Sequence, residues 1–203
     1  MSARSLPPGL YPATGPILAS SPATGSPIVV ARPSEHRARP MRDLVVGMAD
    51  LEISNDPAER LVTYALGSCL GVAVWDPVVK VGGLLHLMLP ASSGADPERA
   101  RTSPSMFVDT GVPLLFRKCY ELGAQKARMI VKVAGGCHTG PVHAPDHFEI
   151  GKRNILALRR LLWANDVVID GEDVGGSQIS RTMSLDVGTG EVTLKTSAPE
   201  RRL

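Results

Sequence analysis

The chain has 203 residues, 43% of them hydrophobic and 21% charged, which suits one globular domain with a core and a tail to spare. A formal net charge of only +2 gives no electrostatic case for a nucleic-acid binder, and 4% aromatic residues are too few for a base-stacking platform. Three cysteines, Cys69, Cys119 and Cys137, are odd in number and irregularly spaced, which argues against a secreted disulfide framework and for a reducing cytoplasm.

Residues 1–40 hold eight of the seventeen prolines, with many Ser, Ala and Gly and almost no periodic apolar pattern. Such a segment buries too little surface to offset its ordering entropy and is expected to be a disordered tail. Pro7, Pro8, Pro12 and Pro16 interrupt any apolar h-region after Arg4, so no signal peptide is expected. No run of eighteen apolar residues occurs, so direct membrane insertion is not expected either. Arg32, Arg37, Arg39 and Arg42 read either as a tether to an anionic surface or as a solvated linker, and the linker is the plainer reading.

From Met41 the pattern changes, and one domain is expected over residues 41–198. Leu44–Met48 reads as a strand, followed by a polar turn region through Asn55, Asp56 and Pro57. Leu61–Leu66 and Leu70–Trp75 are apolar runs separated by Gly67-Ser68, and Val81–Leu89 is a third, stopped by Pro90. Their tight connections predict a largely antiparallel meander. After a polar loop over 91–102, Ser103 and Pro104 look like an N-cap and first helical residue, with Gly123 ending the helix. Pro113 inside that pattern calls for a kink or for two shorter helices. Met129–Val133 reads as a strand and Glu149–Asn165 as a helix, with Ile155, Leu158, Leu161 and Leu162 at helical spacing. Strands follow at Val167–Ile169, Ile179–Val187 and Glu191–Lys195, the last two flanking a hairpin signal at Gly188-Thr189-Gly190. The fold class expected is α/β (α+β), with a mixed sheet arrangement.

The stretch Thr63-Tyr64-Ala65-Leu66-Gly67-Ser68-Cys69-Leu70-Gly71 places a cysteine in a Gly-flanked turn between two apolar strands. Gly67 and Gly71 would permit backbone conformations closed to other residues, and a close approach of backbone or substrate. A thiol on such a turn, beside free backbone N–H groups, can attack a carbonyl and stabilise the oxyanion. Taken alone, the pattern favours a small buried hydrophobe over a nucleophile. His86 lies in the apolar run Gly82-Gly83-Leu84-Leu85-His86-Leu87-Met88-Leu89-Pro90, where a lone histidine is more often a satisfied core residue than a base. The two signals reinforce each other, because strands beginning near Cys69 and ending near His86 should be sheet neighbours. Thr63 could hold the imidazole, although a β-branched residue is ordinary in any strand. Six residues of straight strand would part Thr63 from Cys69 by about 20 Å, so one imidazole can serve both only if the chain bends, with Gly67-Ser68 the expected place.

Together Leu66-Gly67-Ser68-Cys69, Asp76-Pro77, Lys80-Val81-Gly82-Gly83 and His86-Leu87-Met88-Leu89-Pro90 resemble the CheD family of chemoreceptor glutamine deamidases. The likeness continues through Pro113-Leu114-Leu115, Glu121-Leu122-Gly123-Ala124, Lys132-Val133-Ala134-Gly135-Gly136, Ile150-Gly151-Lys152-Arg153-Asn154 and Glu172-Asp173-Val174-Gly175-Gly176. Arg181-Thr182 and Thr189-Gly190-Glu191-Val192 close it, so that it spans about residues 42–196. The resemblance implies a mixed β-sandwich with helices on its outer faces, similar to the catalytic domain of deamidating bacterial toxins. It implies a catalytic set of Cys69, His86 and Thr63, and no cofactor. It also implies two partners, the cytoplasmic region of methyl-accepting chemotaxis receptors and a CheC-type phosphatase, and some members are credited with receptor methylester hydrolysis. We place the oxyanion near backbone N–H groups of the Gly67–Leu70 turn, naming Gly67, Ser68 and Leu70. The chain departs from many relatives at Cys137-His138-Thr139-Gly140-Pro141-Val142-His143, which bears on the shape of that loop.

Three rivals stand beside this reading. Cys137, His138, His143 and His147 suggest zinc, but Pro141, Pro145 and the lack of a paired C-x₂-C favour a solvated polar loop, so no metal is expected. Gly67-x-Cys69-x-Gly71 mimics a nucleophile elbow, yet an elbow must lead into a helix and Val72–Trp75 reads as strand. A non-catalytic adaptor for the phosphatase and receptors is the third.

Overall fold

The computed structural model describes residues 39–93, 95, 97–140 and 148–203. In chain order its strands are β1 (Arg42–Val46), β2 (Asp50–Ser54), β3 (Glu59–Leu66), β4 (Leu70–Asp76), β5 (Val81–Leu87), β6 (Ile130–Gly135), β7 (Gly171–Val174), β8 (Arg181–Asp186), β9 (Val192–Lys195) and β10 (Arg201–Arg202). The helices are α1 (Pro97–Thr102), α2 (Val108–Glu121) and α3 (Ile150–Trp163). The strands form two five-stranded sheets, one in the order β1-β3-β8-β9-β10 and the other in the order β2-β5-β4-β6-β7. Each is mixed, because β1 runs parallel to β3 and β7 parallel to β6 while the other pairs are antiparallel. Of the tail expected over residues 1–40, residues 1–38 lie outside the described residues.

Strands β4 and β5 are buried along their whole length, which their near-continuous apolar sequences require, because sheet two is covered on both faces. Side chains alternate between the faces. Ala73, Trp75 and Leu84 point at sheet one and pack with Leu61, Leu66, Met183 and Leu185. Val72, Val74 and Leu85 point the other way, onto Val112, Leu115 and Phe116 of α2 and Leu158 and Leu162 of α3. The layers are therefore sheet, sheet and helices. Fully burying each such leucine contributes roughly 1.5–3 kcal/mol. The Trp75 Nε1–H also ties the sheets together, donating to the Val187 carbonyl at 2.8 Å.

Five local expectations change. The polar loop expected over 91–102 ends in a short helix, α1, at Pro97–Thr102. The meander is broken after β3, which belongs to sheet one, while β4 and β5 form the antiparallel hairpin of sheet two. Strand β2, absent from the sequence reading, is a short edge strand whose Leu51 and Ile53 alternate with polar residues and pair with β5. The helix expected from Ser103 begins at Val108 after a single 3₁₀ turn at Pro104–Met106, and Pro113 lies inside it. Phe107 is held extended because its buried neighbourhood pairs with the end of β5: Met88 N–H donates to Met106 O and Val108 N–H to Leu89 O, both at 2.9 Å. The strand expected at Val167–Ile169 forms instead at Gly171–Val174, since Val167 and Ile169 pack against the helix-side core. The Gly188–Gly190 hairpin joins β8 and β9 as expected. Among the described residues no helix is long and apolar enough to cross a membrane.

Candidate active site

Strand β3 carries Thr63 on the inner face of sheet one, and β5 carries His86 on the inner face of sheet two, so the two residues meet inside the sandwich. Thr63 is 0% exposed and His86 1%. The Thr63 hydroxyl has one proton, and it donates it to the Val46 carbonyl of the parallel neighbour β1 at 2.9 Å. Its 2.7 Å contact with His86 Nδ1 must then run the other way, from Nδ1–H to the threonine oxygen. This fixes the tautomer: Nε2 carries the lone pair. Nε2 is buried and has no hydrogen-bond partner.

The chain reaches Cys69 by leaving sheet one. Pairing of β3 with β8 shifts register between Thr63 and Leu66, and Ala65 takes a left-handed φ of 57°. The bend therefore begins in a β-bulge two residues before the expected Gly67-Ser68 corner. Three carbonyls of the corner are tied down. Gly67 O accepts from Cys137 N–H at 2.8 Å, Ser68 O from Asn154 Nδ2 at 3.0 Å, and Cys69 O from Gly136 N–H at 2.8 Å. Gly135 explains the tight fit, because its φ is +111° and a Cβ there would sit 2.2 Å from the Cys69 carbonyl oxygen. Neither Gly67 nor Gly71 uses the left-handed backbone expected of it. Their lack of a side chain serves packing: a Cβ on Gly67 would press on Thr139 Cγ2 at 3.1 Å, and one on Gly71 on Leu66 Cδ1 at 2.8 Å.

In the β4–β5 ladder Gly71 lies opposite His86 and Leu70 opposite Leu87. Cys69, two residues before Gly71, shares the face of His86 and is its diagonal neighbour. Leu70 already belongs to β4 and pairs with both Leu87 and Gly135, so Gly67, Ser68 and Cys69 hold the turn's N–H groups outside the strands. Cys69 is half-buried and lines a cleft of about 440 Å³ together with Met88, Leu89, Met106, Ile150 and Arg99.

Burial pushes the Cys69 thiol up from its ordinary value; its own backbone N–H works against that shift and Cys137 adds to it. Burial lowers the His86 pKa. Both shifts favour neutral partners, so at neutral pH the site rests as thiol and imidazole rather than as an ion pair. The other cysteines are not available for such chemistry. Cys119 is fully buried on α2, with burial pushing its pKa up to about 12. Cys137 is 1% exposed and its Sγ donates to Ile179 O at 3.0 Å. Of the suggested zinc cluster, His143 and His147 lie outside the described residues, and among the described residues no group of His, Cys, Asp and Glu could hold a metal.

Sequence reasoning missed Val46, whose contribution is a backbone carbonyl and leaves no trace in residue type. It also missed Asn154 as a site residue. A signal was present, because Asn154 falls with Gly151, Leu158 and Leu162 on the buried stripe of α3, where a polar side chain needs a reason.

Comparison with known proteins bears on this geometry. A family model described as CheD chemotactic sensory transduction matches residues 88–196. The chain is 52% identical over 164 residues to a probable chemoreceptor glutamine deamidase CheD 1 of Syntrophus aciditrophicus (strain SB), covering 80% of this chain and 100% of the relative. It is 43% identical over 163 residues to a probable chemoreceptor glutamine deamidase CheD of Solibacter usitatus (strain Ellin6076), covering 80% and 94%. A probable chemoreceptor glutamine deamidase CheD 2 of Anaeromyxobacter dehalogenans (strain 2CP-C) is 44% identical over 152 residues, covering 75% and 93%. The family model begins after His86, but alignments of 163 and 164 residues within 203 take in residues 63–86 as well. On both measures the chain belongs to the CheD family.

Proposed function

We propose that this protein deamidates glutamine side chains of chemoreceptors to glutamate, with Cys69 as nucleophile, His86 as base and Thr63 orienting the imidazole. The observation that carries this reading is the His86 ring, held by Thr63 with Nε2 unprotonated and unpartnered beside a turn bearing a half-buried thiol. Sγ is not hydrogen-bonded to Nε2 here, so the thiol must swing onto it as substrate enters. Nε2 then takes the thiol proton while sulfur attacks the carboxamide carbon. The negative oxygen is met by N–H groups of Ser68 and Cys69, which point away from the anchored carbonyls. Collapse breaks the C–N bond, Nε2–H protonates the departing ammonia, and a thioester remains. Nε2 next deprotonates water, which attacks the thioester; the C–S bond breaks, the proton returns to sulfur, and glutamate leaves. A glutamate methyl ester differs only in releasing methanol and would follow the same steps. In this reading the protein needs no cofactor, works in the cytoplasm on the receptors' cytoplasmic region, and meets a CheC-type phosphatase there.

The test is glutamine-to-glutamate conversion in a receptor cytoplasmic fragment, run beside a binding assay. Cys69→Ala is expected to abolish conversion while leaving binding intact, and His86→Ala to cost about 10²–10⁴-fold. The double variant should be little worse than Cys69→Ala alone, because members of one catalytic unit are not additive. Undiminished conversion by Cys69→Ala would sink the mechanism. Binding without conversion by the parent chain would favour the adaptor.

A further inference from the structure

Asn154 is 0% exposed and is the one polar side chain among the buried residues of α3. Its Nδ2 donates both protons, to Ser68 O at 3.0 Å and to Met88 O at 2.9 Å. These two acceptors fix the orientation of the amide, because a flipped side chain would set oxygen against oxygen. Its Oδ1 is then left buried with no partner, which costs stability. A leucine would fill the position without that orphan, so the value of the amide lies in its two donors.

Both acceptors belong to the site. The Ser68 carbonyl shares a planar trans peptide with the Cys69 N–H, and the two groups point in opposite directions. Anchoring the carbonyl therefore aims the Cys69 N–H. Met88 stands two residues after His86, where the chain leaves β5. One side chain thus ties the turn of the nucleophile to the strand end of the base, from a helix on the far side of sheet two.

We propose that Asn154 is a positioning residue for the deamidation: through Ser68 it aims the Cys69 N–H at the developing oxyanion, and through Met88 it holds the His86 strand in register with Cys69. The proposal rests on Cys69 as nucleophile. A mere core residue would affect folding alone, whereas a positioning residue affects turnover by folded protein.

The experiment compares Asn154→Leu and Asn154→Asp with the parent chain on a glutamine-bearing receptor cytoplasmic fragment, well below each variant's melting temperature. Asn154→Leu is expected to lose kcat by about 10–100-fold, the scale of an ångström's misplacement, with KM changed less than about threefold. In Asn154→Asp a carboxylate faces two carbonyls, and a donor returns only on protonation. Its kcat per folded molecule, relative to the parent, should therefore rise as pH falls; stability follows the same sign, so the comparison is made at matched folded fraction, where a merely structural role would leave the ratio flat. If Asn154→Leu does not fold, the pH profile of Asn154→Asp decides. Parent-like kcat in the folded variants, or a flat ratio in Asn154→Asp, overturns the proposal and leaves the Cys69 mechanism standing. Conversion by the parent that survives Cys69→Ala overturns both.

Discussion

The His86 imidazole depends on two neighbours, the hydroxyl that orients it and the carbonyl that orients the hydroxyl. Without Thr63 the ring loses the acceptor that sets its tautomer, so Thr63→Ala should lower kcat by about tenfold or more, and Thr63→Ser should retain part of the activity. The pH dependence follows from burial. The pKa of His86 is lowered from 6.5, so the neutral base survives in mildly acidic solution and the acid limb of kcat/KM should fall below pH 6.5. That limb should disappear in the residual activity of His86→Ala. Stability follows the same sign: with the folded pKa below the unfolded one, the contribution of His86 is present above 6.5 and is lost as pH falls towards the lowered value. An acid limb above pH 7 would contradict a buried, neutral imidazole. At this scale the local pattern only offered Cys69, His86 and Thr63 as candidates, and it was the family resemblance that implied them as a set. Neither encodes that Thr63 stands on the other sheet and accepts from Nδ1 of the ring.

At the scale of elements, the decisive feature is the corner between β3 and β4. Its carbonyls are anchored by the loop after β6 and by Asn154 of α3, with Gly135 packed against the Cys69 carbonyl. Gly135→Ala would force a side chain into a left-handed backbone and against that oxygen, with strain alone of roughly 1–3 kcal/mol. Activity should fall further than stability, because the clash displaces the Cys69 peptide, on which the proposed mechanism depends. Gly175 is the control: its φ is +80°, but a Cβ there meets nothing within 4 Å, so Gly175→Ala should lose stability and keep its turnover. Equal turnover in the two variants, compared by denaturant melts and assays at matched folded fraction, would show that the corner is not held this way. The apolar runs of β4, β5, β6 and α3 were legible because their patterns are long and periodic. Strands β2 and β7 were not, since short edge strands with charged residues look like turns until a neighbour supplies their hydrogen bonds.

For the whole molecule, the composition of residues 1–40 supplies no core pattern, and Met41 stands directly before β1. A chain starting at Met41 should melt within about 2 °C of the full length and retain its deamidase activity. It would lose the solvent-facing Arg39–Asp56 pair but keep the Arg42–Glu59 pair beside β1. A drop of many degrees in a thermal melt would mean that the tail is docked on the domain. The layers themselves explain why one face of sheet two could be read more easily than the other. The helices that cover one face carry their own 3.6-residue periodicity, whereas the sheet that covers the other offers only alternation.

The sequence by itself determined the class of the fold, the apolar interiors of β4 and β5, and the two residue types able to carry acyl chemistry at Cys69 and His86. Those follow from local periodicity and from the intrinsic chemistry of a side chain, which need no distant neighbour. Only the tertiary structure decided that β3 and β4 lie in different sheets, that Thr63 crosses between them to set the His86 tautomer, and that Asn154 ties both site elements to α3. The Thr63 and Asn154 contacts join residues 17 to 86 positions apart through single hydrogen bonds whose partners are mostly backbone carbonyls. Backbone carbonyls are the same in every residue, so residue type cannot encode which one a buried hydroxyl or amide will find.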